Sequence, residues 1–160
     1  MKVFVYGALQ RGQPNSHLFD NTKDGHYKYL GVGITVKKYP LVIASRFNIP
    51  FMLHVEDSGN RIKGEVYDVN EPVLDALDEL EGHPNFYRRE VIPVTCEDGS
   101  TLECGCYFLL NFRKDLLELP FHDSYHYKGS HNLTFSMPSA KEGENELEER
   151  RSFLSSVINI

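Results

Sequence analysis

Two carboxylates in this chain stand where a core-facing side chain is expected. In the stretch 71–81, EPVLDALDELE, a helical wheel of about 100° per residue with Leu74 at zero places Val73, Leu77 and Leu80 at roughly 260°, 300° and 240°, one apolar stripe. Asp75, Asp78 and Glu79 project away from that stripe, whereas Glu81 falls at roughly 340°, between Leu77 and Leu74. An ionised carboxylate on a buried face is disfavoured by desolvation, and the last helical turn adds the negative end of the helix dipole. Both effects raise the pKa toward the range in which a carboxyl group exchanges protons near neutrality. The alternative is that the last turn frays, EGHP leaves the helix, and Glu81 lies on the surface or caps a loop; the wheel leaves both open. Glu65 is the second candidate: in IKGEVYDV it alternates onto one face with Tyr67 and Val69, opposite Ile62, Gly64 and Val66. It is either a half-buried acid of a pocket or the partner of an arginine across a sheet.

Other residue types suggest less. His122-x3-His126 with His131 and Asp123 can be drawn as a metal set. The surrounding Ser124, Tyr125, Tyr127 and Gly129 are more typical of a structured loop at the rim of a site than of a metal cage. Cys96, Cys104 and Cys106 are odd in number, and two alternate within a strand-like run, so free, small buried thiols fit better than a disulfide framework or a zinc cluster. The opening MKVFVYGALQRGQPN stops an alternating apolar run at Gly7. GALQRG lacks the lysine and hydroxyl of a phosphate loop and the three glycines of a dinucleotide loop. What remains is a tight turn, or bare backbone N–H groups brought close to a smaller anion.

The elements that must hold these residues are mostly strands. Residues 2–6, 27–36, 39–44, 50–55 and 62–69 read as strands of an antiparallel or mixed sheet, and 90–110 as two runs around the hairpin signal Asp98-Gly99, with Pro93 at an edge or bulge. One helix is predicted over about 71–81, capped by Asn70, with Pro72 in its first turn and Gly82 beyond its end. A short helical turn is expected near 112–118. The fold class is therefore α+β: a sheet that curls into a small open barrel with few short helices. Residues 1–135 form the domain, and 136–160 read as a charged, flexible tail or one loosely docked helix with an apolar end.

The chain has 160 residues, 41% of them hydrophobic, which suits one domain with a real core. A net charge of −6 and the absence of a basic, aromatic-interleaved run argue against a nucleic-acid partner. Neither a signal peptide nor a membrane span is recognisable, so a cytoplasmic protein with no membrane contact is expected, and the Asn132-Leu133-Thr134 glycosylation pattern is put down to chance.

The segments VFVYGALQRGQPN, YPLVIA, NIPFML, KGEVYDV, LDELEGHPNFYRR and LPFHDSY, in this order from residue 3 to about 125, resemble the γ-glutamylamine cyclotransferases of the wider γ-glutamyl cyclotransferase-like family. The resemblance implies a small mixed β-barrel with flanking short helices and a cofactor-free, monomeric enzyme. Its small-molecule substrate would be a γ-glutamyl amine, preferably γ-glutamyl-ε-lysine, from which it would release 5-oxoproline. It implies that Tyr6, Gly7, Ala8 and Leu9 form the substrate loop and that Glu81 is the proton acceptor. Tyr87 and Tyr125 fall in matching stretches as pocket candidates. Ala8 departs from the usual serine or threonine, and Gln10 from the lysine common in close relatives. Two alternatives follow: a cyclotransferase acting on other γ-glutamyl amino acids, or a catalytically silent domain that binds ligand without turnover.

Overall fold

The computed structural model describes residues 1–45, 47–126, 153–154 and 156–158. Strands β1 (Lys2–Val5), β2 (Tyr27–Tyr39), β5 (Asn60–Val69), β6 (Tyr87–Cys96) and β7 (Thr101–Leu109) form a closed barrel in the order β1-β5-β2-β6-β7. The barrel expected from the strand pattern was an open one. Closure comes from β1, which pairs antiparallel with β5 and parallel with β7 through Val3 and Gly105, leaving no free sheet edge. Strands β3 (Leu41–Ala44) and β4 (Ile49–Met52) form a separate antiparallel hairpin. Pro93 lies just past the short stretch in which β6 pairs with β2 as well as β7, so its missing N–H interrupts no second ladder.

Alternation along the strands builds two cores. Phe4, Ile62, Val66, Cys104, Cys106 and Phe108 fill the barrel, while Val3, Val5, Tyr67, Val69, Tyr107 and Leu109 point outward. Helix α2 (Glu71–Glu81) covers the outer face with Val73 and Leu77, both fully buried. Asn70 accepts the Val73 N–H at its start, and Gly82 turns left-handed at its end (φ 66°) and returns its N–H to the last carbonyls. A four-residue helix α1 (Leu18–Asn21) escaped the sequence reading because one turn carries no periodicity; Phe19 anchors it by stacking on Tyr67 at 4.3 Å. A 3-10 turn spans Lys114–Glu118.

All three cysteines are free, Cys104 and Cys106 buried and Cys96 half-buried. His122 donates its backbone N–H to Leu41, and the Asp123 carbonyl accepts from Lys63, so this part of the histidine loop is strapped to the barrel through its backbone. Tyr127, Gly129, His131, Asn132 and most of the tail lie outside the described residues. Within 153–158, Val157 is fully buried, its carbonyl accepts the Arg113 N–H at 2.9 Å, and Ile158 bridges to Phe112. No helix among the described residues is long and apolar enough to cross a membrane.

Candidate active site

A cavity of about 270 Å³ opens where the end of β1, the start of the β3–β4 hairpin's second strand and the end of α2 meet. Its wall contains Tyr6, Gly7, Ala8, Leu9 and Asn15 from the loop after β1, Ile49 and Pro50 from β4, Leu80 and Glu81 from α2, and Phe86, Tyr87, Tyr107 and Phe153. The α2 C-cap explains the position of Glu81. The helix runs unfrayed to this residue before Gly82 breaks it, so the wheel angle holds to the last turn and the side chain points into the cleft rather than into water. Among the described residues nothing hydrogen-bonds or ion-pairs with its carboxylate. Burial alone pushes its pKa from 4.5 up to about 8.

Two tyrosines frame this acid. Tyr6 donates its hydroxyl to the Tyr107 carbonyl at 2.7 Å and accepts from the Met52 N–H, and Tyr87 donates to the Pro50 carbonyl at 3.3 Å. Burial, and the charge of Glu81 when ionised, hold both phenols well above their ordinary range, so they remain neutral. Asp78, one turn before Glu81, is claimed by other partners: Arg89 grips both its oxygens and Tyr107 donates to it at 2.6 Å. The Arg89 N–H also bonds His83 Nδ1, so α2 is fixed to β6 and β7 on both sides of Glu81.

The loop after β1 is held as firmly. Gln10 directs its side-chain amide at the carbonyls of Tyr6, Gly7 and Tyr125, at 2.9, 3.3 and 3.1 Å, and the Asn15 N–H bonds the Ala8 carbonyl at 2.7 Å. The departure at Gln10 is thus a structural one: a carboxamide staples carbonyls that an ammonium, with its three donors, could also reach. The amides of Gly7, Ala8 and Leu9 bond no described residue. A Cβ at Gly7 would meet Pro50 at 3.0 Å, so glycine lets the loop and β4 close on the cavity from opposite sides.

Tyr6, Gly7, Ala8, Leu9, Glu81 and Tyr87 are therefore brought together. Glu65 and Tyr125 are not in the cavity wall. Glu65 lies on the outer barrel face, 9% exposed, and accepts from the Arg11 N–H at 2.7 Å, Arg11 Nε at 3.2 Å and the Tyr67 hydroxyl at 3.2 Å. The arginine alternative applies, except that the partner is in the loop rather than across the sheet. Tyr125 is buried against the barrel core, and its carbonyl accepts from Gln10 of the loop after β1. The sequence reading missed Asn15, Ile49, Pro50, Leu80, Phe86, Tyr107 and Phe153 as wall residues. Asn15, Ile49, Pro50, Leu80 and Phe86 lie in stretches that carry the resemblance, whereas for Phe153 the only signal was the apolar end of the tail. Among the described residues no group of three or more His, Cys, Asp or Glu could hold a metal ion.

With this geometry in hand, the chain can be set beside known proteins. A family model described as gamma-glutamyl cyclotransferase, AIG2-like, matches residues 3–128. The chain belongs to that family. It is 41% identical to Gamma-glutamylaminecyclotransferase C of Danio rerio, over 83% of this chain and 91% of that one, and 39% identical to Gamma-glutamylaminecyclotransferase of Homo sapiens, over 84% and 95%. The crystal structure of an AIG2-like protein from Mus musculus superposes with a TM-score of 0.82 at 36% identity, covering 88% of this chain and 97% of that one. Family membership makes the chain an enzyme of the cyclotransferase class.

Proposed function

We propose that the protein converts γ-glutamyl-ε-lysine into 5-oxoproline and free lysine, with Glu81 as the group that moves the proton. The observation that carries this reading is a desolvated carboxyl group, its pKa about 8, with no partner among the described residues, in the wall of a cavity beside backbone amides that bond none of them either. Relatives named γ-glutamylamine cyclotransferases support the substrate class.

The substrate's α-carboxylate lies against the amides that follow Tyr6, with the Asn15 carboxamide beside them. Its α-ammonium faces Glu81, and the approaching positive charge favours the ionised carboxylate. Glu81 takes one proton from the ammonium, and the freed nitrogen attacks the γ-carbonyl carbon to close a five-membered ring. Holding nucleophile and electrophile in one folded-back molecule supplies a high effective concentration, so the enzyme's main task is positioning. The tetrahedral intermediate collapses with cleavage of the bond to the departing nitrogen. That nitrogen takes the first proton from Glu81 as its bond to carbon breaks. The ring nitrogen, left cationic by the attack, gives up its second proton to the same carboxylate, which passes it to the freed amine. Thus 5-oxoproline keeps one N–H, lysine departs as its ε-ammonium and Glu81 ends ionised as it began.

The wall also bears on the leaving amine. Among the described residues it carries no Asp, Glu, Lys or Arg apart from Glu81, and Ile49, Pro50, Leu80, Phe86 and Phe153 make much of it apolar. A dipeptide leaving group would place a carboxylate one carbon from the scissile nitrogen, in this apolar setting and close to Glu81, at a desolvation cost. Lysine attached through its ε-amine puts four methylenes there and holds its charged end away. Incubating the protein with γ-glutamyl-ε-lysine should release 5-oxoproline and lysine, faster than 5-oxoproline forms from a γ-glutamyl dipeptide. Binding of either compound without release would overturn the reading in favour of a silent domain.

A further inference from the structure

Among the described residues, Phe153 is the one wall residue outside residues 3–128, the stretch that matches the family model. Its ring packs on Phe86 at 5.7 Å, Phe47 at 5.8 Å and Phe51 at 6.4 Å between centroids. Phe86 follows Gly82 by four residues and donates its N–H to the Gly82 carbonyl at 2.8 Å, so this aromatic group stands directly beyond the end of the helix that presents Glu81. Leu80, adjacent to Glu81, continues the same apolar wall and remains 43% exposed.

The position of Phe153 is fixed rather than incidental. Val157, one helical turn on, is fully buried in the outer core, its carbonyl accepts from Arg113, and Ile158 bridges to Phe112. Ser156 Oγ and the Ile158 N–H close the local turn through the carbonyls of Phe153 and Leu154. A segment docked by Val157 thus delivers one aromatic ring to the catalytic cavity. Its neighbours in the wall are apolar, whereas the polar groups able to hold the amino-acid end of a substrate, Asn15 and the amides of 7–9 that bond no described residue, belong to the loop after β1.

Resting on the cyclotransferase reading above, we infer that Phe153 is a specificity-determining residue: together with Phe86 and Leu80 it forms the slot for the alkyl part of the leaving amine, so that the C-terminal segment selects amines by apolar length. The slot rewards methylenes and has no charged group to recognise an amino acid as such.

A series of γ-glutamyl n-alkylamides from methyl to hexyl tests this, with 5-oxoproline release as the readout. In the wild-type enzyme kcat/KM climbs with each methylene the slot buries, by roughly fourfold per carbon if transfer is complete. Phe153→Ala flattens that climb mainly through KM, losing progressively more toward the hexylamide than at the methylamide, and Phe153→Leu, which keeps an apolar side chain, restores most of the slope. A slope the same in Phe153→Ala as in the wild type would overturn the inference and leave the cyclotransferase reading standing. So would a uniform loss across the series, methylamide included, accompanied by a lowered Tm, since that is the mark of packing alone. Failure of the wild-type enzyme to release 5-oxoproline from any amide would overturn both.

Discussion

Glu65 and Glu81 are the same residue type, both on faces that the sequence marks as core-facing, and their surroundings are opposite. Glu65 accepts three hydrogen bonds, two of them from Arg11, whose guanidinium also lies over the Tyr29 ring at 3.7 Å. Glu81 has a cavity before it and no described partner. A carboxylate with donors on every side is committed to holding the chain together. One without donors, set in the largely apolar wall of a cavity, keeps an affinity for a proton that can be spent on a substrate. The protein keeps the two apart through Asp78, which draws Arg89 to itself one turn away and leaves Glu81 unpaired. The loop fastened by Glu65 and the acid presented by α2 are then the two halves of one site.

The contrast breaks most sharply at Glu81. Glu81→Gln should lower kcat by at least about 10²-fold, the usual contribution of a positioned general acid–base, with the fold retained by circular dichroism. Its pH dependence follows from the same pKa. In the wild type kcat/KM should rise with pH through an apparent pKa near 8, as the free enzyme's carboxyl ionises, and this rising limb should vanish in the variant. Stability runs the other way. The folded protein binds this proton more tightly than an unfolded chain, whose glutamate has the ordinary value of 4.5, so the group's contribution is complete below that value and is lost as pH rises through about 8. Thermal melts of Glu81→Gln, which cannot ionise, should match the wild type in mild acid and exceed it above that pH; parallel curves would mean that Glu81 is solvated.

The helix was legible because its signals are local: Asn70, Pro72 and Gly82 mark its ends, and the spacing of Val73, Leu74 and Leu77 gives its face. Glu81 followed from that spacing, but only the cap geometry at Gly82 decides between a buried acid and a frayed end. The strands were visible through alternation, whereas barrel closure was not, since pairing Val3 with Gly105 spans about a hundred residues and leaves no trace in either stretch. The partner of Glu65 was misjudged for a related reason. Arg11 lies in a loop with no period, and its contact depends on how the loop folds back. Phe153 was legible only as part of the apolar end 153–160 that could let the tail dock as a helix; where it docks was not, because so short an apolar run names no partner.

Glu65→Ala should act on the site from outside it. The Arg11 N–H and the Tyr67 hydroxyl lose their acceptor, at a cost of about 1–3 kcal/mol in unfolding free energy, read by urea titration. The loop bearing Gly7, Ala8 and Leu9 loosens, so KM should rise more than kcat falls, while the rising limb near pH 8 stays where it is because Glu81 is untouched. Glu65→Gln keeps one acceptor oxygen for the Arg11 N–H and should recover part of the loss. A displaced pH limb in Glu65→Ala would show the two carboxylates to be coupled and erase the distinction between them.

The smallest effect is expected at Ala8, which lines the cavity with its carbonyl already committed to the Asn15 N–H at 2.7 Å. That bond fixes the backbone, so Ala8→Thr should add a hydroxyl to the wall without moving the loop. One hydrogen bond to bound substrate would contribute about 0.5–1.5 kcal/mol, up to roughly tenfold in kcat/KM. The gain should appear with the methylamide and hexylamide alike, because position 8 belongs to the half of the site that holds the glutamyl moiety rather than the leaving amine. An improvement confined to the long amides would place Ala8 in the apolar slot instead, and would move the boundary between the two halves to the near side of the loop.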